Sequence, residues 1–168
     1  MAQNVLAIYS VANSLGITPE EIAMSINTFE LPKGRGEILN HNGIIIINDS
    51  YNANLESAKA GINTLSQYYG KRKIAIIGDM FELGELAIEH HRELGEFIST
   101  SKIDVLFATG ELTQFTVNAA TNVDAKFFHH KSSLIETLIP FTQSGDVIYV
   151  KGSRGMKMES VIEKGILI

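Results

Sequence analysis

Strands alternating with helices, a short hairpin, and two apolar runs that end abruptly in polar loops predict an α/β fold. The predicted architecture is a mostly parallel sheet of about six strands, one antiparallel at an edge, flanked by helices. Two further helices precede it. Gly43–Asn48 is a β-branched apolar run followed at once by Asp49-Ser50-Tyr51-Asn52-Ala53-Asn54. Asp146–Val150 leads in the same way into Lys151-Gly152-Ser153-Arg154-Gly155-Met156-Lys157-Met158-Glu159. Runs of this kind suit strands buried on both faces. Open α/β sheets bind ligands beyond the carboxyl ends of such strands, so both polar loops are candidate sites.

The elements follow in order. Val5, Leu6, Ile8, Tyr9, Val11, Ala12 and Leu15 recur at helical spacing and stop at Gly16. Thr18-Pro19-Glu20-Glu21 starts a second helix: a capping threonine, proline at the first position, then acids facing the positive helix end. Ile22, Ala23, Ile26 and Phe29 continue it to the break at Pro32-Lys33-Gly34. These two helices bury little alone and need other apolar surface to lean on. Strands are predicted over Glu37–Leu39, Gly43–Asn48, Lys73–Gly78, Asp104–Thr109, Ala125–Phe128 and Asp146–Val150. Helices are predicted over Leu55–Tyr69, Glu85–Thr100, Glu111–Asn122, Ser132–Phe141 and Met156–Lys164. The first two strands, joined through Asn40-His41-Asn42, read as the hairpin. The rest require right-handed crossovers between parallel strands.

Composition narrows the class. The chain has 168 residues, enough for a domain with its own core. It is 45% hydrophobic and 20% charged, a folded rather than a disordered composition. A net charge of −5 argues against nucleic-acid binding, which needs clustered cations. Lys71-Arg72-Lys73 reads as a solvated turn. The absence of cysteine excludes disulfides and thiolate metal sites and fits a reducing cytoplasm. No apolar run reaches the roughly 18 residues of a membrane span, and Met1–Asn4 has no basic signal-peptide region.

Several loops offer chemistry. Asp49, just past a buried strand, can accept two hydroxyl hydrogen bonds, as from a ribose. Ser50, Asn52 and Asn54 supply donors and acceptors, and Tyr51 a flat face. Asp49 or Asn54 also suits capping the helix from Leu55. In the second loop Lys151, Arg154 and Lys157 bring three cations, and Ser153 a hydroxyl, ahead of a helix start. That arrangement suits a phosphate or carboxylate, with a solvated basic turn as the alternative. Asp79 and Glu82, in the loop after the third strand, suit catalysis, cation contact or capping, and capping is the better account of Asp79. His90 and His91 point about 100° apart on a helix and cannot share a metal. A buried histidine tied to a neighbouring loop is expected, and His129-His130 is weak ground for a metal site. Arg35, between Gly34 and Gly36, is a reachable guanidinium able to fork onto phosphate or stack on a base. No G-x-x-x-x-G-K-[ST] or G-x-G-x-x-G motif is present, nor a nucleophile elbow.

Taken together, Asp49–Asn54, Gly78-Asp79-Met80 with Glu82-Leu83-Gly84, and Lys151–Glu159 resemble the C-terminal domain of the Mur ligases. Asn4-Val5 and the helix after them resemble the H-N-V segment that closes that family's central ATPase domain. Gln3 stands where the family usually has His, and Leu55 where it usually has Pro. The resemblance covers essentially the whole chain. It implies a helical remnant of the central domain and hinge over residues 1–32 and a Rossmann-like C-terminal ligase domain over 33–168.

The activity implied is ATP-dependent amide ligation in bacterial, cytoplasmic peptidoglycan precursor synthesis. ATP converts the carboxylate of UDP-N-acetylmuramoyl-tripeptide to an acyl phosphate, which the amine of D-alanyl-D-alanine attacks. ATP and Mg²⁺ are implied for the full-length enzyme, with the Mg²⁺ ligands outside this chain. Asn4, Arg35 and Asp49 would bind ATP. Tyr51, Asn52, Asn54, Lys151, Ser153 and Arg154 would line the dipeptide cleft. His91 would be structural, and no residue of this chain is assigned as catalytic. A monomer is expected, inactive on its own. A sister Mur ligase, a folylpolyglutamate synthase-like ligase and a stand-alone flavodoxin-like binding module are the competing readings.

Overall fold

In the computed structural model, which describes residues 2–29 and 32–168, the chain divides into two units, Met1–Leu31 and Pro32–Ile168. The first unit holds α1 (Ala2–Ser14) and α2 (Pro19–Asn27). Thr18 caps α2 as its sequence predicts: its hydroxyl accepts from the Glu21 N–H and the Glu21 carboxylate accepts from the Thr18 N–H. Gly16, at φ +82°, supplies the left-handed turn between the helices. Leu6, Val11, Leu15, Met24 and Phe29 are each 60–74% exposed. The side chain of Asn4 lies outside the described residues.

The second unit contains β1 (Glu37–His41), β2 (Ile44–Asp49), α3 (Leu55–Gln67), β3 (Arg72–Gly78), α4 (Ala87–Ser99), β4 (Val105–Thr109), α5 (Thr113–Ala119), β5 (Asp124–Phe128), α6 (Lys131–Phe141), β6 (Asp146–Lys151) and α7 (Glu159–Gly165). The strands lie in the order β1-β2-β6-β3-β4-β5, and every pairing is parallel except β1 with β2. The six-stranded, mostly parallel sheet with an antiparallel edge is the fold class the sequence predicts.

Residue parity assigns two cores. Ile47, Ala75, Ile77, Leu106, Val147 and Tyr149 pack with Leu55, Ala58, Ile62 and Leu65 of α3 and with Leu94 and Ile98 of α4. Their strand neighbours Ile44, Ile46, Ile74, Ile76, Ile148 and Val150 pack with Leu134 and Leu138 of α6 and with Val161 and Ile162 of α7. Alternate residues of a strand face opposite sides, so continuous apolar runs feed both layers.

The differences from expectation have local causes. The hairpin turns on Asn42-Gly43, with φ +48° and +78°, not on Asn40-His41-Asn42. Two left-handed residues match the strand twist, which lets β1 run to His41. Of Lys71-Arg72-Lys73 only Lys71 lies exposed in a turn. Arg72 opens β3 and donates to Asp146 at 2.8 and 2.6 Å, and the Lys73 ammonium donates to the Ser66 carbonyl. The last helix starts at Glu159, because Lys157 at φ +48° ends a short 3₁₀ turn over Arg154–Met156.

The topology creates the crevice. The chain leaves β2 and β3 toward the α3–α4 layer but leaves β6, which lies between them, toward α7. Neighbouring strands whose chains depart to opposite faces leave a gap at their carboxyl ends.

Candidate functional site

Asp49, Tyr149 and Lys151 meet at that gap. Ile45, Ile47 and Asp49 share a face of β2, as Val147, Tyr149 and Lys151 share a face of β6, and the register sets Asp49 beside Lys151. The Lys151 ammonium lies 2.6 Å from Asp49 Oδ2 and donates to the Asn52 carbonyl at 2.9 Å. Lys151 is buried, and a buried charge persists only when paired and hydrogen-bonded. The Tyr149 hydroxyl donates to the same Oδ2 at 3.1 Å. Burial, then the adjacent carboxylate, push the Tyr149 pKa well above its ordinary value, so the phenol remains a donor. Among the described residues none donates to Oδ1 of Asp49.

Arg35 reaches the gap from the other side. The Tyr51 N–H donates to the Gly34 carbonyl and the Gly36 N–H to the Asn48 carbonyl, both at 2.9 Å, which staples the arginine loop to the end of β2. Gly34 has φ +75°, and a Cβ there would lie a tight 3.1 Å from the Tyr51 backbone nitrogen. The Arg35 guanidinium lies 4.0 Å from the centroid of the Tyr51 ring, and no described carboxylate pairs with it. Arg35, Asp49, Tyr51, Asn52, Asn54, Ser57 and Lys151 line a cavity of about 230 Å³.

A second cavity, about 320 Å³, shares Asn52, Ala53 and Asn54 with the first and adds Phe81, Glu82, Leu83, Ser153, Arg154 and Gly155. The Ser153 hydroxyl, buried, accepts from the Phe81 N–H at 2.8 Å, while the Ser153 N–H donates to the Asp79 carbonyl at 2.9 Å. These bonds tie the loop after β6 to the loop after β3. Arg154 contacts Glu159 at 3.3 Å, keeps 64% of its side chain exposed and lies 5.5 Å from the Tyr51 ring centroid. A third cavity, about 440 Å³, lies on the β1 and α7 side of Tyr51 and includes Lys33, Glu37, Asn48, Arg154, Glu159 and Glu163.

The sequence-predicted residues of the second unit thus fall into two adjoining cavities, one around Asp49 and one around Ser153. The cations of the second loop do not converge on one anion site. Lys151 is committed to Asp49, Arg154 lines the neighbouring cavity, and Lys157 lines none of the three. Asn54 carries both readings: it caps α3, accepting from the Ser57 N–H at 2.8 Å, and lines both cavities. Asp79 is a cap, accepting from the N–H groups of Glu111, Leu112 and Thr113 at 2.7, 3.0 and 2.9 Å. His91 is buried. Its Nε2 accepts from the Met80 N–H at 3.0 Å, which makes Nδ1 the protonated nitrogen, bonded to the Ala87 carbonyl at 2.7 Å. Among the described residues no three His, Asp or Glu side chains gather as metal ligands.

Sequence reasoning missed Tyr149 and Gly61. A Cβ at Gly61 of α3 would fall 1.9 Å from the Tyr149 hydroxyl. The available signals were a polar-tipped aromatic in an otherwise aliphatic strand, in step with Lys151, and a glycine inside a helix.

A family model described as "Mur ligase, glutamate ligase domain" matches residues 34–154. The UDP-N-acetylmuramoyl-tripeptide–D-alanyl-D-alanine ligase of Bacillus subtilis (strain 168) is 35% identical over 167 residues, covering 95% of this chain and 36% of that protein. A crystal structure of MurF from Acinetobacter baumannii superposes with a TM-score of 0.88 at 28% identity, covering 96% of this chain and 36% of that one. MurF ligase from Thermotoga maritima in complex with ADP superposes at 0.77 with 26% identity, covering 92% and 35%. The chain therefore spans about a third of the length of the relatives it matches.

Proposed function

This chain belongs to the Mur ligase family, and from that premise we propose that it works as the C-terminal domain of an ATP-dependent ligase that adds D-alanyl-D-alanine to UDP-N-acetylmuramoyl-tripeptide. The observation that carries the reading is Asp49 at the carboxyl end of β2, with one oxygen anchored and the other accepting from no described residue, in the same cavity as Arg35, which no described carboxylate pairs. Asp49 would accept from a ribose hydroxyl of ATP. Arg35, held on Tyr51, would meet the nucleotide's negative charge. Asn52, Asn54, Ser153 and Arg154 would line the dipeptide side, with Tyr51 between the two subsites and Lys151 serving through Asp49 and the Asn52 carbonyl.

The size of the Asp49 cavity supports a half-site. Pockets that enclose a small ligand measure roughly 300–1,000 Å³, whereas the Asp49 cavity measures about 230 Å³. A nucleotide contacting it would need a second wall. In this reading the other domains supply that wall, the phosphate-binding loop and the Mg²⁺ ligands. The C-terminal domain then closes over the reaction, brings cationic groups to developing oxyanions and keeps water from the acyl phosphate. No described helix is long and apolar enough to cross a membrane, which fits substrates met in aqueous solution.

The test is Asp49→Asn and Arg35→Ala in the complete ligase. Both are expected to raise the KM for ATP by about tenfold or more, since each removes a charged partner. Unchanged nucleotide kinetics in both variants would remove the basis of the reading. Screening the complete enzyme with glutamate, diamino acids and D-alanyl-D-alanine as acceptors separates the dipeptide ligase from its sister enzymes.

A further inference from the structure

We infer that Tyr149 is a positioning residue for the nucleotide subsite: seated in a notch left by Gly61, its hydroxyl joins Lys151 in holding one oxygen of Asp49 and leaves the other as the free acceptor. The inference rests on the proposed role of Asp49 at the ribose.

Three features of the fold point to it. First, Tyr149 is 1% exposed in a strand whose other core residues are aliphatic. A phenylalanine would bury the same ring without the penalty of a buried hydroxyl. The hydroxyl is kept where it can reach Asp49, 3.1 Å away. Second, α3 is shaped around the phenol. A side chain at position 61 would place its Cβ 1.9 Å from the hydroxyl oxygen and 2.0 Å from the ring carbon that bears it. Glycine inside a helix weakens that helix, so the notch costs stability that the core alone does not require. Third, the two donors converge on one atom. Lys151 at 2.6 Å and Tyr149 at 3.1 Å both address Oδ2, from residues two apart on β6. Lys151 alone would leave the carboxylate free to swing about its own axis. The second donor restrains that rotation, and Asp49 lines the cavity that Arg35 and Tyr51 share. Fixing the acceptor before the ligand arrives lowers the ordering cost of binding.

Tyr149→Phe in the complete ligase keeps the ring and deletes only the hydroxyl. It is expected to raise the KM for ATP about fivefold to tenfold while the KM for D-alanyl-D-alanine stays put. In an Asp49→Asn background the same change should have little further effect, because its target is gone. Gly61→Ala, which displaces the phenol, should give the same split between the two KM values. A Tyr149→Phe enzyme that melts at a lower temperature with an unaltered KM for ATP would show a purely structural hydroxyl and overturn the inference. Additive effects of Tyr149→Phe and Asp49→Asn would do the same. If Asp49→Asn itself leaves the KM for ATP unmoved, the ribose reading fails and takes this inference with it. If Asp49→Asn raises it and Tyr149→Phe does not, only the positioning role is lost.

Discussion

Single residues in this chain carry their weight through burial. Asp146 is fully buried and accepts from Arg72 twice and from the Gln143 N–H at 2.9 Å. Asp146→Ala removes one half of a buried pair and should cost about 3 kcal/mol, read as a lower urea midpoint at unchanged slope. His91 makes a pH prediction. Burial holds its pKa below the ordinary imidazole value in the folded chain. The unfolded chain therefore binds the proton first as pH falls, and the stability His91 contributes is present above the unfolded imidazole pKa and lost below it. Protonated Nε2 would also face the Met80 N–H donor to donor. Unfolding free energies measured from pH 8 to 5 should fall, and His91→Gln should flatten the slope. Legibility at this scale tracks how local the signal is. Asp49 stands out because a polar hexad follows its strand, and Arg35 because glycines flank it. Lys151 reads as a free cation in the sequence because its partner lies on another strand, and only the β2–β6 register brings the two together.

Elements show where local propensity suffices and where packing decides. The inner strands β2, β3, β4 and β6 were readable because two-sided burial leaves a continuous apolar run, and α2 because Thr18 and Glu21 form a reciprocal cap, whereas the half-exposed edge strands β1 and β5 carry no such run. The ends of elements were less readable. The Asn-Gly turn was on the page as sequence, but its left-handed pair fixes the register only once both strands are paired. Helix α7 starts late because Lys157 adopts a left-handed conformation that side chains disfavour by roughly 1 kcal/mol or more. Lys157→Gly should therefore raise stability by about 1 kcal/mol, measured by chemical denaturation. The seam between α4 and α5 makes the opposite prediction. A Cβ at Gly95 would sit 2.2 Å from the Thr116 carbonyl oxygen. Gly95→Ala should destabilise by about 1–3 kcal/mol through forced separation of the helices, despite alanine's better helix propensity.

For the whole molecule, the two units differ in kind. Residues 32–168 hold two cores, whereas the first unit leaves most of its large apolar side chains exposed. Deleting residues 1–31 should leave a cooperative unfolding transition in the remainder and reduce binding of a hydrophobic dye. The intact 168-residue chain should form no ligation product from ATP, UDP-N-acetylmuramoyl-tripeptide and D-alanyl-D-alanine, as followed by phosphate release. Strand order has a further consequence for how the chain is made. The strand of this sheet that comes last in chain order, Asp146–Lys151, lies between β2 and β3, which are not paired with each other. On a ribosome, the Glu37–Asp49 hairpin and the Arg72–Phe128 strands emerge as two separate sheets with a vacant slot between them. The two sheets join only once Asp146–Lys151 is available to pair with both, a late, non-local step of the kind that slows folding. A chain truncated at Gly145 should be protease-sensitive, and one that includes Asp146–Lys151 and α7 resistant.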